Sequence, residues 1–315
     1  MKFLSDSALE RLRAAADAPD LTGTRYQLVD KLGQGGMGGV YRVEDTALER
    51  RVALKVIGVA DSGGDLAARL LREARVIAQL EHPGIVPVHD VGTLPDGRVF
   101  YTMKLVQGSR LDEHVARLGS IADRLRVFEK ICEAVSFAHA QGVLHRDLKP
   151  QNIMVGPFGE VLVMDWGLSK VIAESQEVRL GAGGTLADGG TGHGAVLGTP
   201  GYMAPEQFRG ENLDQRADVY SLGAILEFLA TGVHASRAVS AIAVKAMAED
   251  PAQRYGSVQE LATDVAHYLD GLPVSAYPET GLVRLWRWIV RNRAWLLLIL
   301  AYVVMRTLFI LWRGR

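Results

Sequence analysis

Three glycines, Gly33, Gly35 and Gly38, lie in the run Lys31-Leu32-Gly33-Gln34-Gly35-Gly36-Met37-Gly38-Gly39-Val40-Tyr41, and their flanks constrain the fold more than any other feature of the chain. Taken alone, G-x-G-x-x-G is either the phosphate turn of a dinucleotide-binding unit or a glycine-rich hairpin. A dinucleotide-binding turn feeds a helix directly. Here Tyr26-Gln27-Leu28-Val29 reads as a strand before the glycines, and Val40-Tyr41-Arg42-Val43 and Arg51-Val52-Ala53-Leu54-Lys55-Val56-Ile57 read as two strands after them. A glycine loop that closes a hairpin instead lays backbone N–H groups over phosphates from above.

The third strand carries one charge in an apolar run. Alternation puts Ala53 and Lys55 on one face, and a buried lysine is costly unless a carboxylate meets it. Leu66, Leu70, Glu73, Ile77 and Leu80 form a helical stripe that stops at His82-Pro83, with Glu73 its only acid and so the expected partner of Lys55. Ile85 to Val91 and Arg98 to Met103 read as two further strands joined through Pro95-Asp96-Gly97. Five strands and one helix make a first lobe. Lys104-Leu105-Val106-Gln107-Gly108 reads as a hinge, and from Leu111 the pattern turns helical through Val115, Leu118, Leu125, Phe128, Ile131, Cys132, Val135 and Ala138.

After that helix comes His145-Arg146-Asp147-Leu148-Lys149-Pro150-Gln151-Asn152, then a short strand and Asp165-Trp166-Gly167. A carboxylate, an amide and a second carboxylate at this spacing suit orientation of a hydroxyl and retention of metal ions on a nucleotide's phosphates. Asp147 can orient the acceptor hydroxyl, Asn152 and Asp165 supply oxygens for Mg²⁺, a hard cation, and Lys149 can neutralise charge on the moving phosphoryl group.

Composition sets outer limits. A chain of 315 residues builds a core without staples, and its one cysteine, Cys132, sits in an apolar helical pattern, which makes it a core residue rather than a disulfide partner. Net charge is −1, yet seven Arg and no acid lie from Val283 onward, leaving 28 basic against 36 acidic side chains before it. An acidic body argues against a nucleic-acid partner, and a basic tail points to an anionic membrane surface.

Together these motifs make the sequence resemble the protein kinase superfamily, over residues 26 to about 270, and within it the eukaryotic-like (Hanks-type) Ser/Thr kinases of bacteria. Ala204-Pro205-Glu206 and Asp218-Val219-Tyr220-Ser221-Leu222-Gly223 follow in the family's order. The resemblance implies an α+β bilobal fold: an N-terminal extension over 1–25, a β-rich lobe over 26–103, a hinge over 104–108 and a helical lobe over 109–270. It implies ATP with Mg²⁺, or Mn²⁺ in its place. Lys55 would meet the α- and β-phosphates, held by Glu73, with Asn152 and Asp165 on the metal. Gly33, Gly35 and Gly38 would cover the phosphates. Adenine would lie between Leu32, Val40 and Ala53 above and Met154 below, behind the gatekeeper Met103 and against the backbone of Lys104 and Val106. Glu206 would pair with Arg254, Asp218 would brace the catalytic loop, and Thr199 would contact Asp147 and Lys149 and favour Ser/Thr acceptors.

Two departures stand out. Trp166 replaces the family's usual Phe and needs a partner for its N–H. Only 21 residues separate Gly232 from Arg254, where the family inserts a further helix that helps dock protein substrates. The helical lobe is therefore shortened after the Asp218 helix, and a nucleotide-binding pseudokinase scaffold is the alternative to an active enzyme. The glycine-rich run 181–194 contains Thr185 and Thr191, candidate autophosphorylation sites facing Arg146, with a homodimer as one arrangement for reaction in trans. The protein substrates are unknown. Finally, 271–293 reads as a linker and basic juxtamembrane segment, and 294–312, 19 residues long, as a transmembrane helix. The four Arg from 284 to 293 would then set the kinase at the cytoplasmic face of a bacterial inner membrane on a single-pass anchor.

Overall fold

Alternation in the third strand decides how the first lobe is built. The computed structural model describes residues 18–35, 38–57, 71, 74–166, 201–278, 288–289 and 292–313. Glu73, Thr185, Thr191 and Thr199 lie outside them, as do the first 17 residues of the N-terminal extension. Strands β1 (Tyr26–Gly35), β2 (Gly38–Asp45), β3 (Arg50–Val56), β4 (Val88–Thr93) and β5 (Val99–Lys104) form one antiparallel sheet in the order β1-β2-β3-β5-β4. The glycines do close a hairpin, with Gly35 opposite Gly38. Val52, Leu54 and Val56 turn to a cluster with Tyr26, Val43 and Phe100 on one face, while Ala53 joins Tyr101 and Met103 on the other. β4 starts at Val88 rather than Ile85, because Pro87 has no N–H for the ladder; Ile85 instead bridges Val163 of the second lobe.

The second lobe is organised on α1 (Ile121–Ala140). Ser120 caps it, its Oγ accepting from the Asp123 N–H at 3.1 Å. Leu125, Phe128, Ile131, Cys132, Val135 and Ala138 are fully buried, so the expected stripe is the core-facing one, and burial pushes the Cys132 thiol up, as befits a core residue. Gly142 ends the helix in the left-handed region, at φ 75°. α1 packs on α2 (Gln215–Ala230) and α4 (Val258–Leu269), and α2 packs on α3 (Arg237–Ala246). At that crossing a Cβ on Gly223 would sit 2.7 Å from the Ala246 Cβ, so the close approach of α2 and α3 requires glycine. α3 is what occupies the short stretch between Gly232 and Arg254, and it buries Val239, Ile242, Ala243 and Ala246. A small sheet, β6 (Ser109–Arg110), β7 (Ile153–Val155) and β8 (Val161–Val163), lies under the hinge.

Two expectations about the chain beyond 270 change. The linker does not begin at 271, because Asp264 in α4 accepts from the Ser275 N–H at 2.8 Å, the Ser275 hydroxyl at 2.7 Å and the Ala276 N–H at 3.1 Å, fastening this stretch to the lobe. The expected transmembrane helix over 294–312 is also corrected. The structure has a helix there, α5 (Arg293–Arg313), but among the described residues no helix is long and apolar enough to cross a membrane. Its uninterrupted apolar run stops at Arg306, and the twelve residues from 294 to 305 rise only about 18 Å, against a hydrocarbon core of about 30 Å. The single-pass anchor, and the placement at an inner membrane that followed from it, fall with that span.

The lobe is closed by the Glu206 and Arg254 pair read from the sequence. Arg254 Nη1 and Nη2 reach Glu206 Oε1 and Oε2 at 2.6 and 2.7 Å, with side-chain exposures of 0% and 7%. The carbonyls of Ala248, Arg216 and Glu249 take the remaining guanidinium protons, so the buried pair is fully satisfied. Glu206→Ala strands a buried guanidinium and is expected to cost about 3–5 kcal/mol in urea unfolding of the full chain. A loss below about 1 kcal/mol, the size of an exposed pair, rejects this role.

Candidate active site

The site is assembled on a loop whose backbone is held from below. Asp218, buried in the first turn of α2, accepts from the His145 N–H and Arg146 N–H, both at 2.8 Å, and from His139 Nε2 at 2.7 Å. Burial opposes its charge, but His139, His145 and the Arg146 N–H outweigh that and hold the carboxyl below its ordinary range. These bonds retain Arg146 in the left-handed region, at φ 68°, where a non-glycine residue is strained. Gln207 adds a bond to the Arg146 carbonyl at 2.7 Å. The chain reverses at Arg146, and Asp147 follows.

Asp147 is set by its own loop. Lys149 Nζ lies 3.1 and 2.8 Å from its two carboxylate oxygens, and Asn152 Nδ2 donates to its Oδ2 at 3.0 Å and to its carbonyl at 2.8 Å. With the Asn152 nitrogen used inside the loop, its side-chain oxygen is the atom left for a cation. The Met164 N–H donates to the Asn152 carbonyl at 2.8 Å, and the β7–β8 pairing continues from there, so Asn152 and the residue before Asp165 are adjacent. An amide oxygen beside a carboxylate fits a hard divalent ion that keeps part of its water and shares phosphate oxygens.

Asp165 sits in the left-handed region too, at φ 59°, and Lys55 Nζ donates to its Oδ1 at 2.6 Å. Burial works against the Lys55 ammonium, but the Tyr101 and Asp165 oxygens outweigh it and hold the group above its ordinary value; Asp165 is correspondingly held below its own. Lys55 is thus largely enclosed, its side chain 11% exposed, and paired, as its place in an apolar strand requires. The carboxylate described on it is Asp165, while Glu73, the expected partner, lies outside the described residues.

The expected nucleotide residues line one cleft of about 900 Å³ between the lobes. Leu32, Gly33, Val40 and Ala53 form its roof, Met154 its floor, and Met103, Lys104 and Val106 its hinge wall, with Asp165 at the inner end. Gly35 and Gly38 stand at the tip of the hairpin rather than on this lining. The sequence reading missed Arg42, Arg51 and Arg110 on the outer rim, and Tyr101 at the inner end. Tyr101 is the direct cross-strand neighbour of Lys55, a register that only the folded sheet supplies. Trp166 fills its pocket at 2% exposure and gives its indole N–H to the Val163 carbonyl at 3.1 Å, the partner its replacement of Phe calls for.

A hinged cleft under a glycine hairpin, with Asp165 and its partner Lys55 at the inner end and a loop carrying Asp147 and Asn152, defines a class of nucleotide-dependent phosphotransferase. A family model described as a protein kinase domain matches residues 26–266. The serine/threonine-protein kinase PknD of Chlamydia felis (strain Fe/C-56) is 36% identical over 294 residues, covering 79% of this chain and 31% of that protein. PknD of Chlamydia muridarum (strain MoPn / Nigg) is 37% identical over 298 residues, covering 78% and 32%. The crystal structure of the Mycobacterium tuberculosis PknI kinase domain matches with a TM-score of 0.61 at 26% identity, covering 79% of this chain and 98% of that one. This chain spans about a third of the length of the curated relatives it matches. The chain belongs to the protein kinase family, whose members use ATP and a divalent metal.

His145 supplies a pH test of the scaffold. Its ring is buried against Trp166, donates from Nε2 to the Met164 carbonyl at 2.8 Å and accepts the Asp147 N–H on Nδ1 at 3.3 Å, the neutral tautomer. Burial lowers its proton affinity, outweighing the pull of Asp218. In the unfolded chain a histidine gains its proton near about pH 6.5, while the folded one resists, so stability present above that pH is lost as pH falls. The unfolding free energy of the full chain should decline below about pH 6.5, and His145→Phe should make the decline shallower. An unchanged slope rejects the assignment.

Proposed function

We propose that this domain transfers the γ-phosphoryl group of magnesium-ATP, with manganese able to replace magnesium, to serine or threonine hydroxyls of proteins. The observation that carries the reading is the loop in which Lys149 and Asn152 both bond the Asp147 carboxylate while the Asn152 carbonyl binds the chain beside Asp165. Asp147 orients the acceptor hydroxyl and takes its proton as the oxygen forms its bond to the γ-phosphorus and the bond to the β,γ-bridging oxygen breaks. Lys149 balances charge on the group in flight, and Lys55 meets the α- and β-phosphates. Asn152 and Asp165 would hold the metal, which when bound screens the charge of the phosphates. Thr199 is assigned to favouring hydroxyl acceptors of this kind. The name of the PknD relatives, serine/threonine-protein kinase, supports the Ser/Thr class.

Control by phosphorylation belongs to the same proposal. Arg146 Nε is buried without a hydrogen-bond partner among the described residues, which suits a guanidinium that awaits an anion. Phosphate on Thr185 or Thr191, placed by this protein on itself or on a second copy, would meet that need. The second reading, a nucleotide-binding scaffold without transfer activity, draws on the short stretch between Gly232 and Arg254, which holds one helix of ten residues.

One experiment separates the readings. The full chain, incubated with γ-labelled ATP, magnesium and a basic protein substrate, should place label on Ser and Thr, while Asp147→Ala falls by on the order of a hundredfold or more. Label no higher than that of the mutant rejects the enzyme and leaves the scaffold. Replacing Thr185 and Thr191 together by Ala should lower the activity of the full chain, and undiminished activity sinks the phosphorylation control.

A further inference from the structure

We infer that Tyr101 is a positioning residue of this site, its hydroxyl fixing the carboxylate of Asp165 for the metal; the inference deepens the kinase reading and rests on it. Tyr101 lies in β5 directly opposite Lys55 in β3, with its side chain on the cleft face of the sheet. It is 4% exposed, and its hydroxyl is 3.4 Å from Asp165 Oδ1, the same oxygen that receives Lys55 Nζ at 2.6 Å. The surrounding wall is apolar, formed by Ile77, Val86 and Trp166 around a cavity of only about 20 Å³. That space holds at most about one water. A phenol buried there costs more than a phenylalanine unless its hydroxyl finds a partner, and the partners within reach are the two charged groups of the site.

The two donors converge on one carboxylate oxygen. With Oδ1 held, the carboxylate plane is set and Oδ2 is the oxygen turned to a cation. At 3.4 Å the hydroxyl stands behind Lys55 in the queue for Oδ1, being long for an O–H···O bond. Nucleotide phosphates compete for the Lys55 ammonium. When they draw it away, Tyr101 is the donor that stays, so Asp165 keeps its orientation while Lys55 changes partner. A phenylalanine at 101 would fill the same volume and leave Oδ1 without a donor at that moment.

The test measures binding, not turnover. Calorimetric titration of the full chain with Mn²⁺–ATP and with ATP in EDTA gives two affinities for each variant. Tyr101→Phe should weaken Mn²⁺–ATP about three- to tenfold, the worth of one ordinary hydrogen bond, in keeping with its 3.4 Å length, and metal-free ATP by less than about twofold. Tyr101→Met, run beside it, also lacks the hydroxyl and should give the same split, which secures the result if one variant folds poorly. Equal losses in both titrations assign Tyr101 a merely structural role and overturn the inference, as does no loss in either. A wild-type chain whose ATP affinity does not respond to Mn²⁺ is a different failure: it refutes the kinase reading itself, and the role of Tyr101 with it.

Discussion

The grip of one buried carboxylate on two backbone N–H groups is the constraint on which the rest of the site depends. Asp218 reaches His145 and Arg146 from the first turn of α2, and its charge is stabilised by those bonds and by His139. Without it only the Gln207 bond to the Arg146 carbonyl would be left to hold Arg146 at positive φ, and the reversal that places Asp147 would relax. The strain of the loop is therefore offset by helix packing, since α2 is itself fixed against α1, α3 and α4. Rigid placement of the Asp147 carboxylate is here a consequence of how well the helices of the second lobe are packed.

The inner end of the cleft is built differently, from charge rather than packing. Lys55 and Asp165 come from different lobes and neutralise each other at 2.6 Å. On the proposed function the nucleotide would use Lys55 and the metal Asp165, so binding would separate a pair that already satisfies itself. The lobes are also joined by backbone: the Val86 N–H donates to the Val163 carbonyl at 3.2 Å and the Val163 N–H to the Gly84 carbonyl at 2.8 Å. This seam leads straight into Asp165, so a shift of one lobe against the other is felt at its carboxylate.

Much of this was legible in the residues. The glycine hairpin, the succession of five strands up to the hinge, the buried stripe of α1 and the pairing of Glu206 with Arg254 all follow from local pattern or from a motif with a fixed partner. What was not legible depends on neighbours far along the chain. The role of Tyr101 needs both the register of β5 on β3 and the position of Asp165, sixty-four residues further on. The fastening of Ser275 and Ala276 to Asp264 replaces a linker that composition alone suggested, because a buried carboxylate supplies partners that polar, proline-containing chain would otherwise find in water. The apolar tail was misread as a span because length and composition were weighed over nineteen residues, while the run is interrupted at Arg306.

Sequence by itself determined the family, the two lobes and which side chains share the face of the cleft, since spacing within single strands, loops and helices sets that alternation. Tertiary structure decided the rest: which oxygen of Asp165 is held and by whom, which carboxylate Lys55 meets, and why Arg146 can adopt its backbone angle. The physical reason is that these are bonds between groups tens of residues apart, and their geometry exists only once the two lobes and the helical core have been packed together.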